Sequence, residues 1–217
     1  MAAYLKHSII VLLMLVTGTV ALTTYKQYGV AWDEAAQVQI GTTNYDYIFR
    51  GDQNFFRFDN RFYGPVFELS LIALGKALNL KTTRGVFLMR HLTSHLFFLL
   101  GAAFCFLLVD FLYKNKLLAT IAFLLVVFNP RIYAHSFFNT KDVPFLSMYF
   151  ICLYLNAFAF DKKRVREFLF LGIASGLLIN LRLMGVLFSF CVLLFLLVDA
   201  LYGKYEGSPT ANLWLAM

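Results

Sequence analysis

Five long apolar runs, at about 8–24, 91–113, 117–134, 143–160 and 183–202, constrain this chain more than any other feature of it. Each is close to the ~20 residues that carry a helix across a hydrocarbon layer of ~30 Å. In lipid the backbone must satisfy its own N–H and C=O groups, so a spanning segment is a helix or part of a closed barrel. These runs are continuous rather than alternating, which selects the helix. A further run, 168–181, is shorter but of the same character. Of 217 residues, 60% are hydrophobic and 14% charged, and a soluble core of this size has no room for so much apolar surface. The expected fold is all-α: one polytopic transmembrane helical bundle of about six spans over residues 1–217.

The first run follows Lys6 and His7 and so resembles a secretory signal. No small-x-small cleavage site follows it, and the rest of the chain is itself apolar, so 8–24 reads as an uncleaved first span. The segment "YGPVFELSLIALGKALNL" (63–80) is apolar at helical spacing but carries Glu68, Gly75 and Lys76. It either crosses or lies flat as an interfacial helix. Charge favours the flat reading. With a cytoplasmic N-terminus, the flat reading puts "YKNK" (113–116), "DKKRVRE" (161–167) and Lys204 inside, as the short-loop basic bias requires. A crossing segment would force the densest basic cluster outside. Residues 25–90 then form one long extracytoplasmic segment with interfacial helices, and "WDE" shares the outer side with "NPRIYAHSFFNTKDVPF" (129–145).

The net charge of +7 belongs to this loop pattern. Lys and Arg are scattered and form no basic face for nucleic acid. Cys105, Cys152 and Cys191 all lie in apolar runs, as reduced hydrophobes, with no zinc or redox spacing.

Within this apolar chain a few polar residues stand out. Asp33 and Glu34 are adjacent just after the first span. A carboxylate at a wet membrane surface either serves as general base or metal ligand, or simply favours a helix N-terminus through the dipole. Adjacent acids rarely point the same way, so one of the two is the base if either is. Asp142, just before Pro144, is a second acid at the mouth of a span, where the plain alternative is a helix start. Lys141 beside it is placed either to neutralise it or to bind an anionic phosphate. Arg182, between apolar stretches, needs a partner or an interface at membrane depth. It is suited to a lipid phosphate, with headgroup snorkelling as the alternative. His135 lies in the second outer loop and borders the site. His91 and His95 share a helix face, better read as polar packing than as metal ligands, and Arg84 and Arg90 as interfacial anchors. The sequence contains no GxxxxGK[ST], GxGxxG or GxSxG, which leaves nucleotide hydrolysis, Rossmann cofactors and hydrolase nucleophiles without support.

The order of these motifs resembles a known family. A first span, "WDE", the helix start "YGPVFELSL", the loop "NPRIYAHSFFNTKDVPF" and then "GIASGLLINLRLMGVL" together resemble the N-terminal module of GT-C class integral-membrane glycosyltransferases. Closer still are the bacterial relatives of dolichyl-phosphate-mannose protein mannosyltransferases and aminoarabinose transferases. The resemblance covers nearly the whole chain. It implies inverting transfer of a sugar from a polyprenyl-phosphate donor to an extracytoplasmic glycan, lipid or protein acceptor, on the outer face of a bacterial cytoplasmic membrane. By this resemblance Asp33 is the base with Glu34 beside it, Asp142 is the second-loop acid, and Arg182 contacts the donor phosphate. "TKD" carries one acid where metal-dependent relatives carry two, which weighs against a bound divalent metal, and no other cofactor is implied. Family members are usually longer, and "SPTANLWLAM" (208–217) resembles the start of a further span, so a fragment of a longer protein is expected. The alternative class is a transporter or lipid flippase with an outward polar cavity. It would favour paired broken helices and inverted repeats, and the sequence shows neither.

Overall fold

The computed structural model describes residues 2–206, and the side chains of 9–201. Lys6, Lys204 and the stretch 208–217, which the topology and fragment expectations used, lie outside the described side chains. The fold is all-helical, with no strand among the described residues. Among the described residues nine α-helices follow one another: α1 (Ala2–Thr24), α2 (Glu34–Arg50), α3 (Val66–Ala77), α4 (Thr83–Tyr113), α5 (Lys116–Val127), α6 (Pro130–Phe138), α7 (Asp142–Lys162), α8 (Val165–Leu181) and α9 (Gly185–Glu206). Short 3₁₀ turns fill 25–27, 53–57 and 59–62.

Among the described residues three stretches are long and apolar enough to cross a membrane: 9–27, α4 and α7. A fourth exists if α5 and α6 form one broken span, bent by 61°. The bend falls within the run 117–134, which the sequence reading treated as continuous. Its cause is local. Asn129 is extended, its side chain caps the Ile132 N–H at 3.1 Å, and Pro130 opens α6 without an N–H to continue the ladder. The two other expected spans, 168–181 and 183–202, coincide with the helices α8 and α9, neither of which is among these three or four, so the count falls short of the six expected. Leu12, Leu15, Leu169, Ile173, Leu193 and Phe195 on α1, α8 and α9 are exposed, as a lipid solvent allows and water does not.

Helix α3 has 12 residues. At 1.5 Å per residue it is about 18 Å long, too short to cross a ~30 Å hydrocarbon layer. It packs on α2 at Gly41, where an added Cβ would lie 2.9 Å from the Glu68 carbonyl oxygen.

Helices α4 and α7 run parallel. Gly101 meets Ser147 so closely that a Cβ would sit 2.5 Å from its Cα, and further along Phe111 touches Tyr154 and Phe158. Around this axis Phe98, Leu99, Ala102 and Phe106 pack with Ala119, Phe123 and Val127 of α5. Met148, Cys152 and Ala159 pack with Leu171, Ala174 and Leu178 of α8 and with Phe188 and Val192 of α9. Because α4 and α7 are parallel, their N-terminal ends share one end of the bundle. The basic connections after α4 and α7 share the other, where Lys116 pairs with Asp110 and Lys163 with Asp199.

Candidate active site

The end of the bundle holding the starts of α4 and α7 gathers the buried charges of Glu34, Glu68 and Arg90. Glu34 opens α2 and is 0% exposed. Both its carboxylate oxygens face the His91 Nε2, at 3.1 and 3.3 Å, and one also accepts from the Ala31 N–H at 2.7 Å. The Glu34 N–H in turn donates to the Ala31 carbonyl at 3.2 Å. The turn 31–34 is thus closed twice, once through backbone and once through side chain. Trp32 and Asp33 stand at its tip, both exposed. Asp33 makes no side-chain bond to the N-terminus of α2.

One residue before His91, Arg90 is fully buried and donates to Glu68 of α3 at 2.8 Å. The other Glu68 oxygen accepts from the Thr140 hydroxyl, in the connection between α6 and α7. Arg90 is therefore no interfacial anchor. It is the cation of a buried ion pair that joins α4 to α3, while Thr140 extends the network towards α7. A buried charge is tolerable only with such a partner.

A second, more open cluster lies at the mouth of α7. Arg182, just past the end of α8, pairs with Asp142, and both are partly exposed. Asn139 holds Asp142 from two sides: its Nδ2 donates to the carboxylate at 3.1 Å, and its Oδ1 accepts the Asp142 N–H at 2.8 Å. His135 stacks obliquely on Phe138 and meets the Asn139 amide at 3.4 Å, so it reaches the ion pair through Asn139. Lys141 takes no part in neutralising Asp142. Its ammonium lies 5.0 Å from the centre of the Tyr63 ring.

Between these groups runs a groove of about 340 Å³. Lys141 and Arg182 supply its positive charge, and Phe62, Tyr63, Leu181, Leu183 and Met184 its apolar wall. Gly64 closes one side by direct contact with α8. A Cβ there would lie 1.2 Å from the Asn180 carbonyl oxygen, and the Asn180 side chain accepts the Val66 N–H at 3.0 Å. Gly64-Pro65, within the helix start "YGPVFELSL", thereby docks the start of α3 on the end of α8.

The structure thus places Lys141 and Arg182 in the groove, Asp142 against Arg182, and His135 next to that pair through Asn139. Glu34 sits in a separate buried pair, and Asp33 is displayed beside it. Glu68, Arg90 and Thr140 join the two regions; in the sequence Arg90 reads as an interfacial anchor, Glu68 only as a polar residue in 63–80, and Thr140 has no role. Only the presence of an acid in an apolar helix and of an arginine near a span hinted at them. Of the two histidines on one face, His91 serves Glu34 and His95 bonds Ser136 at 2.6 Å. Among the described residues no three His, Cys, Asp or Glu side chains converge as metal ligands do.

No curated protein and no solved structure matches the chain. The model of one family, described as dolichyl-phosphate-mannose-protein mannosyltransferase, matches residues 64–216. The matched span contains Glu68, Arg90, His91 and the cations of the groove; Asp33, Glu34 and the groove residues Phe62 and Tyr63 precede it.

Proposed function

The chain belongs to the dolichyl-phosphate-mannose-protein mannosyltransferase family, and from that premise we propose that it transfers a sugar from a polyprenyl-phosphate donor to an extracytoplasmic acceptor, with inversion. The observation that carries this reading is the groove at the mouth of α7. It combines two cations with an apolar wall, the pairing of properties that a lipid phosphate requires. The same end of the bundle holds the acidic turn, and the basic connections lie at the opposite end. The short-loop charge bias puts those connections inside and the groove outside.

In the proposed reaction the acceptor hydroxyl attacks the anomeric carbon as Asp33 removes its proton. The new carbon–oxygen bond forms while the bond to phosphate breaks, and the lipid phosphate leaves with the bonding pair. Arg182 and Lys141 stabilise the charge that develops on it. Asp33 suits the base because its carboxylate is exposed at a fixed turn, whereas the Glu34 carboxylate is fully engaged with His91 and Ala31.

The test uses the full chain and a labelled polyprenyl-phosphate sugar. Asp33→Asn should lower turnover by about 10²-fold or more while donor affinity is kept. Arg182→Ala should weaken donor binding by roughly tenfold or more, the worth of a hydrogen bond to a charged group. Wild-type turnover in Asp33→Asn with a dead Glu34→Gln would move the base to Glu34. Normal transfer by all three would remove the site from this end of the bundle.

A further inference from the structure

We infer that His91 and Glu34 form a positioning pair that sets the geometry of the turn displaying Asp33, without either side chain touching substrate. This rests on the transfer reading above for its catalytic consequence, though its structural content stands apart from it. Three observations carry it. First, both side chains are buried, His91 at 1% and Glu34 at 0% exposure, so neither is presented to a substrate. Second, Glu34 uses one carboxylate for two tasks. It accepts from the Ala31 N–H, closing the turn, and from His91, anchoring that closed turn to α4. Third, the His91 Nδ1 has no hydrogen-bond partner among the described residues, so the polar chemistry of this histidine is directed at Glu34 alone. An ionised carboxylate only accepts, so Nε2 carries the hydrogen that joins them.

The mechanical consequence follows from the chain. Residues 31–34 form one turn, with Trp32 and Asp33 between its two fixed ends. Without His91, the turn keeps its internal closure but loses its tie to α4. The base would then sample positions around the attacking hydroxyl instead of one, and a displacement of about 1 Å is enough to cost about 10²-fold in rate.

Trp32 makes the pair measurable without any reaction. It is 100% exposed at the tip of the turn, and the sequence has one other tryptophan, Trp214. In a Trp214→Phe background, the time-resolved anisotropy of Trp32 reports the order of the turn. His91→Ala should lower that anisotropy and reduce kcat by about 10²-fold while donor affinity is unchanged. Glu34→Gln should act in the same direction, and the double variant should lose no more than the worse single one, because both remove one shared interaction. His91→Gln, which keeps a side-chain N–H, should recover part of the rate. If His91→Ala does not fold, His91→Gln and Glu34→Gln carry the comparison. Unchanged Trp32 anisotropy in these variants, or losses in kcat that simply add, would overturn the inference. A wild-type chain that neither binds nor consumes the donor would overturn the transfer reading, and the anisotropy would still decide the positioning role.

Discussion

Replacing Arg90 by methionine should destabilise the protein by far more than removal of any surface charge. Arg90 and Glu68 are both buried, their side chains 0% and 4% exposed, and bond at 2.8 Å. Methionine keeps most of the stem volume, so little packing is lost and the electrostatic change dominates. What remains is a carboxylate inside the helix bundle with the Thr140 hydroxyl as its surviving partner. Breaking a buried pair by removing one member costs about 3–5 kcal/mol, because the other charge stays desolvated. At about 2–4 °C per kcal/mol for a chain near this length, the midpoint of thermal unfolding should fall by roughly 6–20 °C.

The built-in thiols supply the assay. Cys105 and Cys152 are buried and Cys191 is exposed. In a Cys191→Ser background, a fluorogenic maleimide therefore reports the opening of the core on heating. Two controls separate charge from mere substitution. Arg50→Ala removes a surface pair, Arg50 being 63% exposed, and should cost only about 0.3–0.5 kcal/mol. The double replacement Glu68→Leu with Arg90→Met removes both charges together. It should return to within about 1–2 kcal/mol of the wild type, since apolar replacement of a whole buried pair is often neutral. An Arg90→Met shift no larger than that of Arg50→Ala would refute the reasoning. So would a double variant that falls by the sum of the two singles.

Two further outcomes test the placement of the groove and its side of the membrane. Gly64→Ala should push the 63–66 loop off the end of α8, because its Cβ would lie 1.2 Å from the Asn180 carbonyl oxygen. Donor binding should fall with it, and unaltered binding would show that the loop does not form the groove wall. Gln53→Cys should react with a membrane-impermeant maleimide from outside and Arg164→Cys only after permeabilisation, in a Cys191→Ser background; the reverse pattern would invert the topology.

How much of this was legible depended on how far apart along the chain the interacting groups lie. Helices α4 and α7 follow from apolar runs, because these are local properties, whereas the break at Asn129 and Pro130 lies inside a run that reads as one span. The first eight residues of α4 were not legible as part of that helix. The run of apolar residues starts at 91, while the helix starts at Thr83 and carries Arg84, Arg90 and His91 within its turns. Polar groups there look like the edge of a span. They are tolerated inside because Glu34 lies 57 residues before His91, Glu68 lies 22 before Arg90, and Thr140 lies 72 after Glu68. No periodicity in one sequence pairs residues so far apart.

Helical geometry explains why adjacent residues take different roles here. With 3.6 residues per turn, neighbours on a helix point about 100° apart. On α4 this lets Arg90 and His91 grip two separate elements, α3 through Glu68 and the start of α2 through Glu34. At the start of α2 the same geometry divides the two acids. Once the Glu34 side chain turns inward to His91, the Asp33 carboxylate must turn out to solvent. The direction of burial ties Glu34 to α4 and leaves the Asp33 carboxylate exposed. That direction follows His91, a residue of another helix, so the local sequence shows two adjacent acids but not which of them is buried, and only the family resemblance set Asp33 apart from Glu34.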